Sequence, residues 1–273
     1  MQPEQYARMR AEEERHWWYR GNRAVVAALL GSVRGAVIGR HLDVGCGTGQ
    51  NLESLARTTG SRSVGLDFAP AALAHCRARG LHRLVQGSVM QLPFRPQSFD
   101  LVTCFEVLYH REIGDWRTAI AGLAAVLRPG GILLLREPAF GFLAGDHDVV
   151  VQGARRFRRA EVRAAVRATG LEILRLSYQN VITFLPAAVL RTWQRCRRGP
   201  RPPAPDFATG GGRLQVTLER LLSWEGWWLR HAVLPFGSSV LCLARKPGAT
   251  HVQDVHTCVV SVPSGDSGPR PKS

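Results

Sequence analysis

The chain has 273 residues with 45% hydrophobic side chains, enough for one large core with or without an insertion. Its formal charge is +15 and nearly all of its basic residues are arginine. That composition admits an anionic partner (nucleic acid, acidic lipid or phosphorylated substrate) and equally a genomic bias, because the arginines are spread along the chain and form no block.

Six cysteines stand at 46, 76, 104, 196, 242 and 258, without a CxxC pair. This argues for a reducing compartment, with no disulfide partner and no zinc site. Met1 to Arg15 is polar and charged, unlike a signal peptide. No apolar run approaches the roughly 18 residues that span a bilayer. A cytoplasmic protein is expected, with peripheral contact to an anionic membrane or lipid-linked substrate left open.

Residues 1–35 read as a helical cap. Glu12 to Arg23 carries His16, Trp17, Trp18, Tyr19 and Arg20, which either cover a ligand or bury against a core. Ala24 to Leu30 is an apolar helix suited to packing on a sheet. Val37 to Val44 reads as the first strand. It runs into Leu42-Asp43-Val44-Gly45-Cys46-Gly47-Thr48-Gly49, followed by a helix-like Gln50 to Arg57. Glycine lets backbone lie against a ligand, and the following helix presents free N–H groups and a positive dipole end. A nucleotide-like ligand is expected. Ser63 to Asp67 is a short strand ending in an acid, about 20 residues past the glycines, where a carboxylate can accept both ribose hydroxyls. A dinucleotide enzyme would fit this as well.

Residues 69–80 form a helix with Pro70 in its first turn and Gly80 at its end. Leu84 to Gln86 is a third strand, followed by Gly87-Ser88-Val89. Asp100 to Phe105 is the fourth strand and runs into Glu106-Val107-Leu108-Tyr109-His110. Ligands of open α/β sheets lie beyond the carboxyl ends of the strands, so residues 104–110 should face the reacting centre. Asp115 caps a helix to about Leu127, and Ile132 to Arg136 is the fifth strand. Gly141 to Arg159 reads as a loop able to lie over a substrate. Its Asp146, His147 and Asp148 read as solvated polar residues, so no metal is assigned. Arg159 to Thr169 is helical, and Leu171 to Tyr178 is the sixth strand.

Residues 179–234 read as a helical insertion. An apolar Val181 to Trp193 and an amphipathic Leu214 to His231 flank a Pro/Gly-rich link, Gly199 to Gly212. Three readings stand: a substrate lid, a helix pair that thickens the core, or a membrane-surface patch, since Trp and Arg favour the headgroup interface. Ser238 to Arg245 is the last strand, and residues 248–273 read as a disordered tail.

Taken in order, the glycine turn, Asp67, Gln91-Leu92-Pro93-Phe94 before Ser98-Phe99-Asp100-Leu101-Val102, and Leu127-Arg128-Pro129-Gly130-Gly131 resemble the class I methyltransferases that use S-adenosylmethionine. Glu14-Arg15-His16-Trp17-Trp18-Tyr19 and Leu234-Pro235-Phe236-Gly237-Ser238-Ser239 extend the likeness to a bacterial subgroup acting on small molecules. The resemblance implies an α/β fold with a doubly wound, mostly parallel seven-stranded sheet. Its core would be residues 36–178 and 235–247, with the helical insertion before the last strand.

The resemblance also implies S-adenosylmethionine as cofactor, held by Gly45, Cys46, Gly47 and Gly49 around its methionine moiety with Asp43 near them. Asp67 would take the ribose, with Phe68 beside it. Related enzymes often have an acid where Ser88 stands, so the adenine contact would rest on Val89. Cys104 and Phe105 complete the cofactor set. Helices before the first strand commonly cover the cofactor in such folds. Trp17, Trp18, Tyr19 and Arg20 are therefore read as a cap, joined by His147 and Arg156 at the substrate.

A nucleophile bearing a proton needs a base. His110 is the first choice because it titrates near neutral pH, with Glu106 and Tyr109 also in place. Cys104-Phe105-Glu106 stands where base-nitrogen methyltransferases carry an Asn/Asp-Pro-Pro-aromatic motif. An O- or C-methylated small acceptor, lipid-like or a natural product, is therefore expected. An RNA methyltransferase, suggested by the charge, and a cofactor-binding protein without turnover are the alternatives.

Overall fold

The computed structural model describes residues 3–33, 35, 37–145, 148–149, 151–196 and 212–248. The tail from residue 249, most of the Pro/Gly-rich link, Asp146 and His147 lie outside the described residues.

Two helices open the chain: α1 (Pro3–Glu12) and α2 (Trp17–Gly31). The single helical run expected over Glu12 to Arg23 is broken between them. His16 takes an extended conformation, and its Nδ1 accepts the Trp18 N–H at 3.2 Å, capping α2. There follow β1 (Arg40–Val44), α3 (Gln50–Thr59), β2 (Arg62–Asp67), α4 (Pro70–Ala78), β3 (Leu84–Gln86) and β4 (Phe99–Phe105). Then come α5 (Trp116–Val126), β5 (Leu127–Pro138), α6 (Arg159–Ala168), β6 (Glu172–Gln179), α7 (Val181–Cys196), α8 (Arg213–His231) and β7 (Ser239–Arg245).

The first strand starts at Arg40, three residues later than expected, with Val37 exposed. The fifth is longer than expected at both ends. Leu127 already pairs with Phe99, and an irregularity between Phe99 and Leu101 absorbs the glycine pair before Ile132.

The seven strands form one sheet in the order β3-β2-β1-β4-β5-β7-β6. All pairs are parallel except those of β7, which runs antiparallel to both β5 and β6. Alternate residues serve opposite faces, as the period of a strand requires. Val102, Cys104, Leu133 and Leu135 join Ile120 and Leu123 of α5 and Val162 and Val166 of α6 on one side. Leu101, Phe105, Ile132 and Leu134 join Val25, Val26 and Leu29 of α2 and Leu229 of α8 on the other. Chain order reverses between β1 and β4, which opens a crevice at their carboxyl ends.

The two helices of the insertion part ways. α7 lies over that crevice, whereas α8 packs against α2. A Cβ on Gly21 would lie 2.6 Å from Leu222 Cδ2, and one on Gly226 would lie 3.0 Å from Val25 Cα, so glycine permits the close approach of α2 and α8. Of the three readings of the insertion, the packing of α8 on α2 fits a helix that thickens the core.

Candidate active site

The turn after β1 needs glycine for shape. Gly45, Gly47 and Gly49 all have positive φ, at 70°, 56° and 85°. A side chain on Gly45 would also collide with Val107. The N–H groups of Gly45 and Cys46 donate to Leu66 O at 2.7 and 3.0 Å, folding the turn toward β2. Asp67, at the end of β2, completes the cradle. Its Oδ2 accepts the Gly47 N–H at 2.9 Å and its Oδ1 the Ala69 N–H at 2.9 Å. Burial raises its pKa, and these two bonds oppose the rise.

The cradle opens on a cavity of about 1230 Å³. Gly45, Cys46, Gly47, Asp67, Phe68, Ser88 and Val89 line its first part. Phe105, Glu106, Tyr109 and His110 line the part beyond the carboxyl end of β4. From the cap come Trp18 and Tyr19, and from the loop after β5 comes Arg156.

Other expected site residues are placed elsewhere. Gly49 faces α4, where a Cβ would lie 2.6 Å from Leu81 Cδ1 and 2.9 Å from Cys76 Sγ, so its glycine serves packing. Cys104 is fully buried in the core on the α5 side. Trp17 is buried beneath the cap, one position from Trp18 and so turned to a different face of α2. Arg20 pairs with Glu219 of α8 at 3.0 Å and lies off the cavity. Asp43 is behind the loop, where burial pushes its carboxyl up to about 7 while a 2.6 Å bond from Thr103 Oγ1 pulls it down. Thr103 Oγ1 also meets His41 Nε2 at 2.8 Å, and burial lowers that imidazole to about 3.

Several residues at the site went unread in the sequence. Glu13, in the turn between α1 and α2, is buried and accepts from Thr48 Oγ1 and the Arg79 guanidinium, tying the cap to the glycine turn. Arg136, at the end of β5, lies 4.9 Å over the Phe105 ring and 5.5 Å over Trp18. Its Nη1 donates to Asn22 Oδ1 at 3.0 Å, and its Nε is in ion-pair contact with Glu106 Oε1 at 3.3 Å. Glu106 itself has φ of 58°, a conformation rare outside glycine and held here by its N–H bond to Arg136 O at 2.8 Å. Glu137 Oε1 accepts the N–H groups of Val107 and Leu108 at 3.2 and 2.9 Å, fixing the stretch that follows β4. Its position at the carboxyl end of β5 was the one signal available.

The His110 ring lies against that of Tyr109, tilted by 35° with centroids 4.3 Å apart. Desolvation lowers the His110 pKa, which keeps the imidazole neutral at pH 7, and raises that of the Tyr109 phenol. Arg156 is held by Asp148, with Nε–Oδ1 and Nη2–Oδ2 both at 2.9 Å.

A glycine turn after β1, an acid closing β2 and a cavity at the β1/β4 switch point give the ligand crevice of a Rossmann-like fold. Residues 42–135 match the family model described as a methyltransferase domain, which supports the resemblance to the class I S-adenosylmethionine-dependent methyltransferases. Malonyl-[acyl-carrier protein] O-methyltransferase of Serratia marcescens is 33% identical over 155 residues, covering 53% of this chain and 60% of that protein. A ubiquinone biosynthesis O-methyltransferase of Xanthomonas campestris is 40% identical over 115 residues, or 38% of this chain and 47% of the relative. The chain thus spans about half to three fifths of these relatives' lengths. In fold it is similar to a Haloferax volcanii protein solved in complex with the Trm112 methyltransferase activator. The TM-score is 0.56 at 22% identity, covering 89% of this chain and 94% of that one.

The residues present fit S-adenosylmethionine, the cofactor of this class. A Cβ on Gly47 would meet only Met9 Cε, at 3.8 Å, so the turn's backbone is open toward the cavity. Gln50, at the first turn of α3, keeps its Oε1 buried without a partner at the cavity wall.

Proposed function

We propose that the chain transfers a methyl group from S-adenosylmethionine to an oxygen or carbon atom of a small, lipid-like acceptor. The observation that carries this reading is one cavity of about 1230 Å³, lined both by the Gly45–Asp67 cradle and by α7. When bound, the cofactor supplies an electrophilic methyl group on a sulfonium. The protein's part is position and exclusion of water. Gly45 and Gly47 would hold the cofactor's methionine moiety, Asp67 its ribose, and Val89, with Ser88 beside it, its adenine edge. Trp18, Tyr19, Phe105 and the Arg136 guanidinium form the wall beside the reacting centre.

His110 is the group we assign to take the acceptor's proton. It is neutral at pH 7 and lies on the cavity beyond the carboxyl end of β4. Glu106, held by Arg136, is the acceptor-side carboxylate. Leu143, Val151, Pro186, Ala187 and Leu190 give the cavity an apolar stretch of lining, which suits a lipid-like body. The names of the relatives above, one acting on an acyl-carrier protein and one in ubiquinone biosynthesis, support a small or carrier-borne acceptor. The cavity mixes Glu12, Glu13, Glu106 and Glu112 with its arginines, which speaks against a polyanion as acceptor.

The test is transfer of labelled methyl from S-adenosylmethionine to a panel of phenols, quinols and fatty acyl carriers, with RNA in parallel. Turnover on a member of the first three, reduced about 10²- to 10⁴-fold in His110→Ala with little change in KM, supports the reading and the base. Turnover on RNA alone, or cofactor binding with no turnover at all, overturns it.

A further inference from the structure

The outer face of α8 has no role in the reaction proposed above. Its inner residues, Leu222, Glu225, Gly226 and Leu229, are buried against α2 and the sheet. Opposite them the helix shows Trp224, Trp227 and Trp228, which are 70%, 54% and 53% exposed. Leu214, Val216 and Leu221 are exposed with them. Three adjacent tryptophans left in water are unusual, because each carries a large apolar ring.

The exposed charges on this helix have one sign. Arg213, Arg220 and Arg230 are all exposed. Of its two acids, Glu219 is paired with Arg20 at 3.0 Å on the flank, and Glu225 is buried. The outer face therefore combines indole rings and guanidinium groups with no free carboxylate. That pairing suits an interface of anionic headgroups over hydrocarbon, where indoles sit at the boundary and arginines meet phosphate.

The helix is tied to the cavity wall through its buried side. Glu225 accepts the N–H of Val181 at 3.1 Å and also that of Asn180, so α8 anchors the N-terminus of α7. α7 presents Pro186, Ala187 and Leu190 to the cavity, while Leu185 and Val189 are exposed on its outside. Its helix carries no acidic residue. No helix among the described residues is long and apolar enough to cross a membrane, so contact through these helices would be made from one side of the bilayer.

We infer that the outer face of α8, together with the exposed side of α7, docks on an anionic phospholipid bilayer. It would bring the mouth of the cavity under α7 to the surface that holds a lipid-soluble acceptor. The docking does not depend on the reaction; the delivery of acceptor rests on the proposed function.

The experiment is co-sedimentation of the full chain with vesicles of phosphatidylglycerol and with vesicles of phosphatidylcholine, at low and high salt. Two variants run beside the wild type: Trp224→Ser with Trp228→Ser, and Arg213→Glu with Arg220→Glu. Cofactor affinity and the melting temperature of each are measured in parallel. Those substitutions lie on an exposed face, so fold and cofactor binding should be retained. Binding to the anionic vesicles, weakened by salt and reduced about tenfold or more in each variant, is the expected result. Equal binding by wild type and both variants overturns the inference, as does no binding to anionic vesicles. So does concentration-dependent self-association that the tryptophan variant abolishes, which would assign the face to a second copy of the chain. Docking without methyl transfer would sink the reaction and leave the surface standing.

Discussion

Gly45 and Glu137 hold the geometry of the site from two sides. Gly45 combines φ of 70° with a close approach to Val107. Gly45→Ala adds left-handed strain to overlap, and should cost about 2–4 kcal/mol in denaturant unfolding as well as cofactor affinity. Glu137 is buried, and desolvation pushes its carboxyl up from 4.5 to about 8. Below about pH 4.5 it is protonated in both states. Between there and pH 8 the folded protein keeps the proton that the unfolded chain releases, so its stability falls as pH rises. Asp43 and Glu225, each raised to about 7, act in the same direction. The buried His16 and His41 and the half-buried His110, lowered by desolvation, act oppositely up to about pH 7.5, where the unfolded imidazoles finish releasing their protons, and the three raised carboxyls outweigh them. The melting temperature should therefore fall from pH 6.5 to 8.5, and less steeply in Glu137→Gln. The change in slope is at most about 1.4 kcal/mol per pH unit. An unchanged slope would mean that Glu137 is ionised in the fold.

At the scale of elements, the contact of α2 with α8 separates scaffold from site. Gly21→Ala places a methyl inside Leu222 and should destabilise the protein by about 1–3 kcal/mol, while cofactor affinity in the folded protein stays within about twofold. Leu222→Ala in the same chain should recover part of the loss. Glu225→Ala instead removes the acceptor for the N–H groups that begin α7. It should lower activity on an acceptor more than affinity for the cofactor, as separate assays of KM and cofactor binding would show. The sequence announced α8 as amphipathic, because Leu222 and Leu229 recur at helical spacing. It did not say what the buried stripe meets, since periodicity records a face and not its neighbour. The same limit applies to Trp17 and Trp18, where one ring turns inward and the next reaches the cavity. The break at His16 was hidden because its imidazole acts as a cap, a task usually left to Ser, Thr, Asp or Asn.

For the whole molecule, strand and helix alternation was enough to anticipate a doubly wound sheet, and the glycine turn with Asp67 pointed to its crevice. Both signals are local in the chain, and each follows from backbone geometry. What the sequence concealed is assembled from distant residues. Glu13 reaches Thr48 and Arg79, and Arg136 gathers Asn22, Glu106, Phe105 and Trp18. No spacing marks such groups, because the sheet order alone brings them together. The central claim is that the turn after β1 and Asp67 form an S-adenosylmethionine cradle. Calorimetric titration of the wild type beside Asp67→Ala and Asp67→Asn tests it most directly. The account predicts saturable binding by the wild type, weakened about 10- to 100-fold in both variants, as loss of a charged hydrogen-bond acceptor implies. Folded variants that bind as tightly as the wild type, or a folded wild type that does not bind, would contradict it.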